Sequence, residues 1–190
     1  EAFLDGRLHT TDCFDLDCAM FEDKIFVMFP PLPAVVAMPF VAVFGVEFSG
    51  FILLSAIISA LSILLWWQIL SALDVDKEIA LWLLLGLAFA TPLYFVTIRG
   101  DGVWFFAQSI GFLLTSFAIH QVVRGGSLVL AGACIGLGFL CRQMIIFYLP
   151  FLFALALRRD ERLIGFSGAH VARALKLGLP VAAAVGVYLV

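Results

Sequence analysis

The chain has 190 residues, of which 64% are hydrophobic and only 13% are charged, and its formal net charge is −3. Soluble domains carry roughly 25% charged residues, so a composition this apolar excludes a soluble globular domain. The small negative charge is spread over the loops, so it argues neither for a nucleic-acid partner nor for a polybasic lipid anchor.

Long apolar blocks account for this composition, and each is about as long as the ~20 residues that cross a bilayer as a helix. In lipid, backbone amides must be paired within their own segment, and the alternation typical of a lipid-facing barrel is absent. The sequence therefore predicts an all-α fold, a polytopic transmembrane helix bundle. Because the chain begins at Glu1 rather than Met and stops at Val190 inside an apolar run, we expect it to be truncated at both ends.

The predicted elements begin, in chain order, with a polar segment at residues 1–29, which holds the densest acidic stretch. We interpret it as an extracytoplasmic acidic loop or a set of short surface helices. Residues 29–46 follow, marginal in length and rich in proline, and are interpreted as a juxtamembrane helix or a short span. The transmembrane helical region, 30–190, is then predicted to continue with helices at 50–73, 79–98, 103–123, 127–141, 143–157 and 175–190, the last one truncated.

Two of these elements carry a predicted irregularity. Pro92 lies inside the 79–98 helix and is expected to kink it. The apolar run 127–157 is broken only by Arg142 and Gln143. It is too long for one untilted helix and short for two, so it predicts a hairpin of two short helices with Arg142 at the tip.

The distribution of basic residues predicts the orientation of the bundle. The cluster Arg158, Arg159 and Arg162 marks a cytoplasmic loop by the positive-inside rule. If each predicted segment before this loop reverses direction, Arg124 lies on the cytoplasmic side and the turn 99–102 on the outside. The acidic amino-terminal segment is then outside as well, provided that 29–46 does not cross the membrane.

The four cysteines have no metal-binding spacing. Cys13 and Cys18 lie in the polar segment, whereas Cys134 and Cys141 lie in an apolar block. Free or buried thiols are the favoured interpretation. A disulfide between Cys13 and Cys18 stays open if that segment is extracytoplasmic.

A few charged residues could carry chemistry. Arg142 in an apolar block costs at least ~2.5 kcal/mol at the bilayer centre and marks either an anionic ligand or a side chain that snorkels from a hairpin tip. Asp101 beside Arg99 is a candidate catalytic carboxylate or a solvated ion pair of the turn. Asp15 and Asp17 would share one face of an extended segment, where they could bind a cation or polarise a hydroxyl, or simply be solvated.

Several motifs together resemble a known family. Residues 2–8 (Ala-Phe-Leu-Asp-Gly-Arg-Leu), 17–24 and 29–34 (Phe-Pro-Pro-Leu-Pro-Ala) are similar to the first outer loop of C-type (GT-C) membrane glycosyltransferases. Residues 99–106 resemble the second outer loop of that family. Residues 131–142 resemble its glycine-rich short helix, which ends in a basic residue. The likeness is to bacterial relatives of protein O-mannosyltransferases and lipid A aminoarabinose transferases.

The resemblance implies a GT-C-like fold and an enzyme that moves a sugar from a polyprenyl-phosphate donor to the hydroxyl of a glycan, lipid or protein acceptor. It implies an active site on the extracytoplasmic face of the bacterial inner membrane. A divalent cation is an open possibility, and the principal acidic residue of the first loop is expected upstream of Glu1. The implied roles are catalysis for Asp101 and Asp17, donor-phosphate binding for Arg142 and Arg99, and shaping of the acceptor side for Lys24 and Asp15.

Two other functions are compatible with the sequence. A transporter also uses broken helices and intramembrane charge, although the dense acidic loop and the lack of an inverted repeat disfavour it. A non-catalytic membrane scaffold is the third hypothesis. The enzyme hypothesis makes a geometric demand, because Arg142 and Asp101 must lie at the same membrane face.

Overall fold

The computed structural model describes residues 2–13, 17–157, 161 and 167–189, and its fold is almost entirely helical. This confirms the all-α membrane fold predicted from composition. A short hairpin of strands β1 and β2 precedes the helices. The elements are β1 (Cys18–Phe21), β2 (Lys24–Val27), α1 (Leu32–Phe44), α2 (Phe51–Ala72), α3 (Lys77–Phe89), α4 (Pro92–Ile98), α5 (Val103–Val123), α6 (Leu128–Phe139), a 3₁₀ helix (Gln143–Phe147), α7 (Tyr148–Leu155) and α8 (Gly168–Leu189).

Within the described ranges, three helices are long and apolar enough to cross a membrane: α2, α5 and α8. The pair α3–α4 would make a fourth span, with a bend of 51° at its break. Pro92 is the first residue of α4, where a missing amide hydrogen costs nothing. The Thr91 side chain accepts a hydrogen bond from the amide of Leu93 (3.2 Å), which starts the second half of the bent pair.

The bundle has two ends, which we name by residues of α5. At the Trp104 end, α5 begins and α2 begins, since the rings of Phe51 and Phe106 contact each other. At the Arg124 end, α5 ends and α2 ends, since a ring nitrogen of His120 lies 2.8 Å from Oε1 of Gln68. From α2 to α6, with α3 and α4 taken as one segment, successive segments therefore run in alternating directions between these two ends.

Helices α6 and α8 run parallel and in very close contact. A Cβ atom added to Gly132 would overlap the backbone carbonyl of Leu177, and one added to Gly136 would lie 3.0 Å from the carbonyl oxygen of Pro180. Small residues allow such close approach between membrane helices. The contact aligns the two helices so that both run toward the Trp104 end, where Phe139 meets Tyr188.

The segment 140–155 turns back between these helices. Leu152 of α7 is fully buried and shares one core with Ile69 of α2 and Ile135 of α6. The side-chain amide of Gln143 donates a hydrogen bond to the hydroxyl of Tyr188 (2.9 Å) at the turn. The apolar run thus forms two short helical arms, with Arg142 at the point where they meet.

Helix α1 lies across the Trp104 end. The amide of Leu32, its first residue, donates to the carbonyl of Leu140 at the hairpin tip (3.0 Å). Near its last residue, the rings of Phe44 and Phe48 stack, and Phe48 in turn contacts Phe51 at the start of α2. Both ends of α1 are therefore anchored at the same end of the bundle.

The amino-terminal segment, interpreted from sequence as an acidic loop or a set of short surface helices, contains the β1–β2 hairpin. The turn of this hairpin places Glu22 and Asp23 at positive φ. Cys13 and Cys18 form a disulfide, so the favoured interpretation of these two as free thiols was wrong. The backbone amide of Thr10 donates to the carbonyl of Ile25 (2.9 Å), which ties residues before the disulfide to β2.

The last helix also differs, because α8 begins at Gly168 rather than near residue 175. Arg173 lies inside the helix and forms an ion pair with Glu161 (2.7 Å). A basic side chain in a helix can extend along it to reach a partner, so its charge does not end the helix. The residues Arg158, Arg159 and Arg162, which set the predicted orientation, lie outside the described residues.

Candidate active site

Two chain segments that are distant in sequence, the hairpin tip and the start of α5, meet at the Trp104 end. Nη2 of Arg142, at the hairpin tip, donates a hydrogen bond to the backbone carbonyl of Trp104 (2.9 Å). Trp104 lies in the first turn of α5, directly after the turn that holds Asp101. Arg142 and Asp101 therefore lie at the same end of the bundle, as the enzyme hypothesis demands.

A cavity of about 390 Å³ opens between these segments. Its wall is formed by the amino-terminal segment, the Pro-Pro motif, the first turns of α5 and the hairpin tip. Most of the lining is apolar or aromatic, with few polar side chains, which is the usual composition of a ligand site. The lining residues that matter most for chemistry are His9, Thr10, Phe29, Trp104, Cys141 and Arg142.

Arg142 is the main charged group of this wall. Its guanidinium carbon lies 4.6 Å from the centre of the Trp104 ring, a cation–π contact. Its Nε atom is buried and has no hydrogen-bond partner within the part of the chain that the structure describes. Burial lowers the pKa of the Arg142 guanidinium from its ordinary value, yet a guanidinium begins so high that it stays protonated at neutral pH. The cavity wall thus includes a permanent positive charge.

Asp101 and Arg99 face each other across the second turn. Their closest charged atoms are 3.8 Å apart, and the two side chains are 59% and 56% exposed, respectively. At that exposure the pair contributes little to stability. The turn itself is held firmly, because Gly100 packs so closely on Ser55 of α2 that a Cβ atom would overlap the serine hydroxyl. Neither Asp101 nor Arg99 belongs to the cavity wall.

The candidate residues of the first segment lie on the hairpin. Asp17 is half-buried immediately before β1, and its backbone carbonyl accepts from the amide of Met28 (3.3 Å). Lys24 is exposed as the first residue of β2. Both lie outside the cavity wall. Asp15 falls outside the described residues.

Of the six lining residues that matter most for chemistry, sequence reasoning assigned a role only to Arg142 and missed His9, Thr10, Phe29, Trp104 and Cys141. His9 and Thr10 directly follow the motif 2–8, and Phe29 and Trp104 lie inside two other family-like motifs. Their position in those motifs was a usable signal. The sequence could not show which side chains of each motif line the same cavity.

The sequence left open whether the site holds a divalent cation. Among the residues in the described ranges, no group of three or more His, Cys, Asp or Glu could hold a metal ion. The polar side chains that line the cavity are those of Arg142, His9 and Thr10.

The comparisons with known proteins identify one family. The family model described as dolichyl-phosphate-mannose-protein mannosyltransferase matches residues 29–188. Searches of curated proteins and of solved structures gave no match. The matched region covers most of the chain and includes the Pro-Pro motif, α5 and the hairpin tip. The chain therefore belongs to the dolichyl-phosphate-mannose-protein mannosyltransferase family of membrane glycosyltransferases.

Proposed function

We propose that this protein transfers a sugar from a polyprenyl-phosphate donor to an acceptor hydroxyl, with the cavity at the Trp104 end as the donor site. The observation that carries the proposal is Arg142, which lines the cavity and whose buried Nε lacks a partner among the described residues. A phosphate that enters the cavity would be attracted by this guanidinium, and a shift of the side chain would let a phosphate oxygen bond to Nε. A guanidinium suits a phosphate because it can hold it through two parallel hydrogen bonds.

The surroundings of Arg142 support an anionic ligand. Val103 and Trp104, in the first turn of α5, also line the cavity. The amino-terminal end of a helix carries positive partial charge, so it adds to the attraction exerted by the guanidinium. The first turn of α5 contains no acidic residue that would oppose it.

The reaction follows from these groups. The oxygen of the acceptor hydroxyl attacks the anomeric carbon of the donor, the bond from that carbon to the phosphate oxygen breaks, and the lipid phosphate leaves with the electron pair. A carboxylate takes the proton of the hydroxyl. Arg142 stabilises the charge that develops on the leaving phosphate.

We assign the proton-accepting role to Asp101, which lies on the same end of the bundle as Arg142 and next to the first turn of α5. Asp17 is a second catalytic candidate, and Arg99 a second candidate for the donor phosphate. Lys24 and Asp15 would shape the acceptor side. For Asp101 to act, donor and acceptor must bind where the cavity opens toward the turn 99–102.

We also propose that the Trp104 end faces the extracytoplasmic side of a bacterial inner membrane. The Cys13–Cys18 disulfide supports this orientation, because disulfides persist in oxidising compartments. Arg124, Arg173 and Lys176 belong to the opposite end, which agrees with a cytoplasmic face. The lipid bilayer and the lipid-linked sugar are then the partners of the enzyme.

The proposal is tested with the intact protein in lipid nanodiscs and a set of polyprenyl-phosphate sugars. Arg142→Ala should lower turnover about 100- to 1,000-fold, the usual cost of losing one donor to a developing anion. Arg142→Lys should retain part of the activity, because it keeps the charge but loses the planar fork. The matched control is Arg124→Ala, which removes an exposed arginine from the other end and should leave turnover unchanged.

Normal turnover by a folded Arg142→Ala variant would remove the role of this residue. If the wild-type protein transfers sugar from none of the donors, the glycosyltransferase function itself fails. Folding of each variant is checked by its elution profile and its thermal unfolding in detergent.

A further inference from the structure

We propose that Trp104 is a positioning residue, which fixes the orientation of the Arg142 guanidinium in the cavity wall. The inference rests on the proposed function, since it assumes that Arg142 binds the donor phosphate. It adds to the site an uncharged residue to which the family resemblance gave no role. Three contacts that meet at this one tryptophan support it.

The first contact comes from the backbone of Trp104. Its carbonyl oxygen accepts a hydrogen bond from Nη2 of Arg142 at 2.9 Å. A carbonyl oxygen has two lone pairs, so it can accept from the guanidinium as well as within its helix. This bond fixes one corner of the guanidinium at the start of α5. The bond is independent of the side chain at position 104.

The second contact comes from the side chain of Trp104. The guanidinium carbon of Arg142 lies 4.6 Å from the centre of the indole ring. Tryptophan is the most favourable aromatic partner for a cation over its face. With one corner bonded and one face covered, the guanidinium has little freedom to rotate. The position of Nε, which is buried and has no partner in the described ranges, is thereby fixed as well.

The third contact supports the indole itself. The ring of Phe29 meets the ring of Trp104 at 4.6 Å with an interplanar angle of 81°, an edge-to-face arrangement. Such pairs add stability beyond their buried area. Phe29 directly precedes Pro30 and Pro31, so the Pro-Pro motif, α5 and the hairpin tip are joined through one row of side chains: Phe29, Trp104 and Arg142.

A direct role for Trp104 in stacking on the sugar is the rival explanation of an aromatic residue in this cavity. One face of the indole is already covered by the guanidinium, and Phe29 contacts the same ring. The ring therefore acts on the ligand through Arg142. If Trp104 acts through Arg142, the effects of substituting the two residues should be non-additive. If Trp104 stacked on the sugar, the two effects should be additive.

The experiment measures donor KM, kcat and the inhibition constant of a sugar-free polyprenyl phosphate for Trp104→Leu and Trp104→Phe in the intact protein. Trp104→Leu should raise the donor KM and the inhibition constant about tenfold, as expected from the loss of a well-shielded cation–π contact. Trp104→Phe keeps an aromatic face and should recover most of the affinity. The control is Trp82→Leu in α3, where the indole is 67% exposed and absent from the cavity wall.

Coupling is measured in the Arg142→Lys background. If Trp104 acts through the guanidinium, adding Trp104→Leu should cause little further loss, because the planar group that it positions is already gone. Full additivity of the two losses would overturn the positioning role. An unchanged inhibition constant in folded Trp104→Leu would do the same.

The two proposals fail in different ways. An active Arg142→Ala variant overturns the donor-phosphate site, whereas an inactive Arg142→Ala with a fully active Trp104→Leu overturns only the positioning role. Should Trp104→Leu not fold, Phe29→Leu removes the support of the indole while leaving position 104 intact. It should raise the inhibition constant in the same direction but by less, and no change at all would contradict the inference.

Discussion

The two ends of the helical bundle use their polar residues differently. At the Arg124 end, the Asp76 side chain accepts from the amide of Glu78 (2.9 Å) and caps α3, and Arg173 is paired with Glu161 (2.7 Å). At the Trp104 end, Arg142 lines a cavity of about 390 Å³ and its buried Nε has no partner among the described residues. At the first end, charged side chains cap a helix or pair with each other. At the second end, a charged side chain lines a cavity that could hold a ligand.

The contrast is not absolute, because Nδ1 of His120 is also buried without a hydrogen-bond partner in the described part of the chain. Its other ring nitrogen, however, pairs with Gln68, and no described cavity includes it in its wall. An unpaired group therefore becomes a candidate for binding only when space for a ligand adjoins it. Substitutions at the Trp104 end should then change kinetics, and those at the Arg124 end should change stability.

The largest effect should come from exchanging one carboxylate at each end for its amide. Asp101→Asn should lower kcat about 100-fold, the lower part of the range for losing a general base. Asp74→Asn is the matched control, because Asp74 follows α2 at the Arg124 end and has positive φ, which asparagine also adopts. The measurement is sugar transfer by the intact protein. Equal rates for the two variants would end the assignment of Asp101 and weaken the contrast between the ends.

A second test should affect stability alone. Gly132→Ala would press a methyl group against the backbone of Leu177, which cannot yield independently of α8. Overpacking of this kind costs about 1–3 kcal/mol, and a rigid backbone neighbour favours the upper part of that range. Gly178→Ala, in the same pair of helices, meets nothing within 4 Å and should be neutral or slightly stabilising.

Thermal unfolding in detergent measures both glycine variants, and donor KM is determined on the folded fraction. An unchanged KM in Gly132→Ala would show that stability and binding are separable in this bundle. A large change in KM would mean that the packing of α6 on α8 sets the position of the hairpin tip, and the two ends would then be coupled.

The regular helices could be predicted from sequence because a bilayer imposes their length and leaves the backbone no alternative pairing. The apolar blocks 50–73 and 103–123 correspond to α2 (Phe51–Ala72) and α5 (Val103–Val123). The break at Pro92 follows equally from local chemistry, since proline fits a first helical turn. In each case the signal lies within the segment itself.

The features that sequence reasoning missed depend on contacts between segments. The β1–β2 hairpin is tied to the residues before it by the pairing of Thr10 with Ile25, which has no local signature, and by the Cys13–Cys18 disulfide, which the sequence left open. The cavity wall joins His9 to Trp104 and Arg142 only after the amino-terminal segment folds over α5. The predicted start of α8 at residue 175 is too late, because Arg173 lies inside the helix and pairs with Glu161. Arg142 itself was identified, since a charge in an apolar block is unusual wherever it lies.

The disulfide offers a third test at the Trp104 end. Replacing both Cys13 and Cys18 by serine should destabilise the amino-terminal segment by about 2 kcal/mol, as expected for closing so short a loop. Because residues of this segment form part of the cavity wall, donor KM should rise. The helical bundle has its own core and should unfold at an unchanged temperature.

Limited proteolysis at Arg7 and Lys24, in the presence and absence of a reducing agent, reports on the order of the amino-terminal segment. Reduction of the wild-type protein should reproduce the double serine variant. If KM and the rate of cleavage are the same with and without the disulfide, the segment is held by its other contacts alone.

The smallest effect is expected for Arg99→Ala. This variant compares two arginines of the Trp104 end, Arg99 and Arg142. Arg99 and Arg142 both lie near the start of α5, but Arg99 is 56% exposed and its nearest carboxylate oxygen, on Asp101, is 3.8 Å away. Solvent screening limits such a pair to about 1 kcal/mol or less, so stability should hardly change, and donor KM should rise no more than about threefold. A rise of more than about tenfold, equivalent to ~1.4 kcal/mol, would mean that Arg99 contacts the donor phosphate directly. The phosphate would then lie between the turn 99–102 and the hairpin tip, with one arginine on each side.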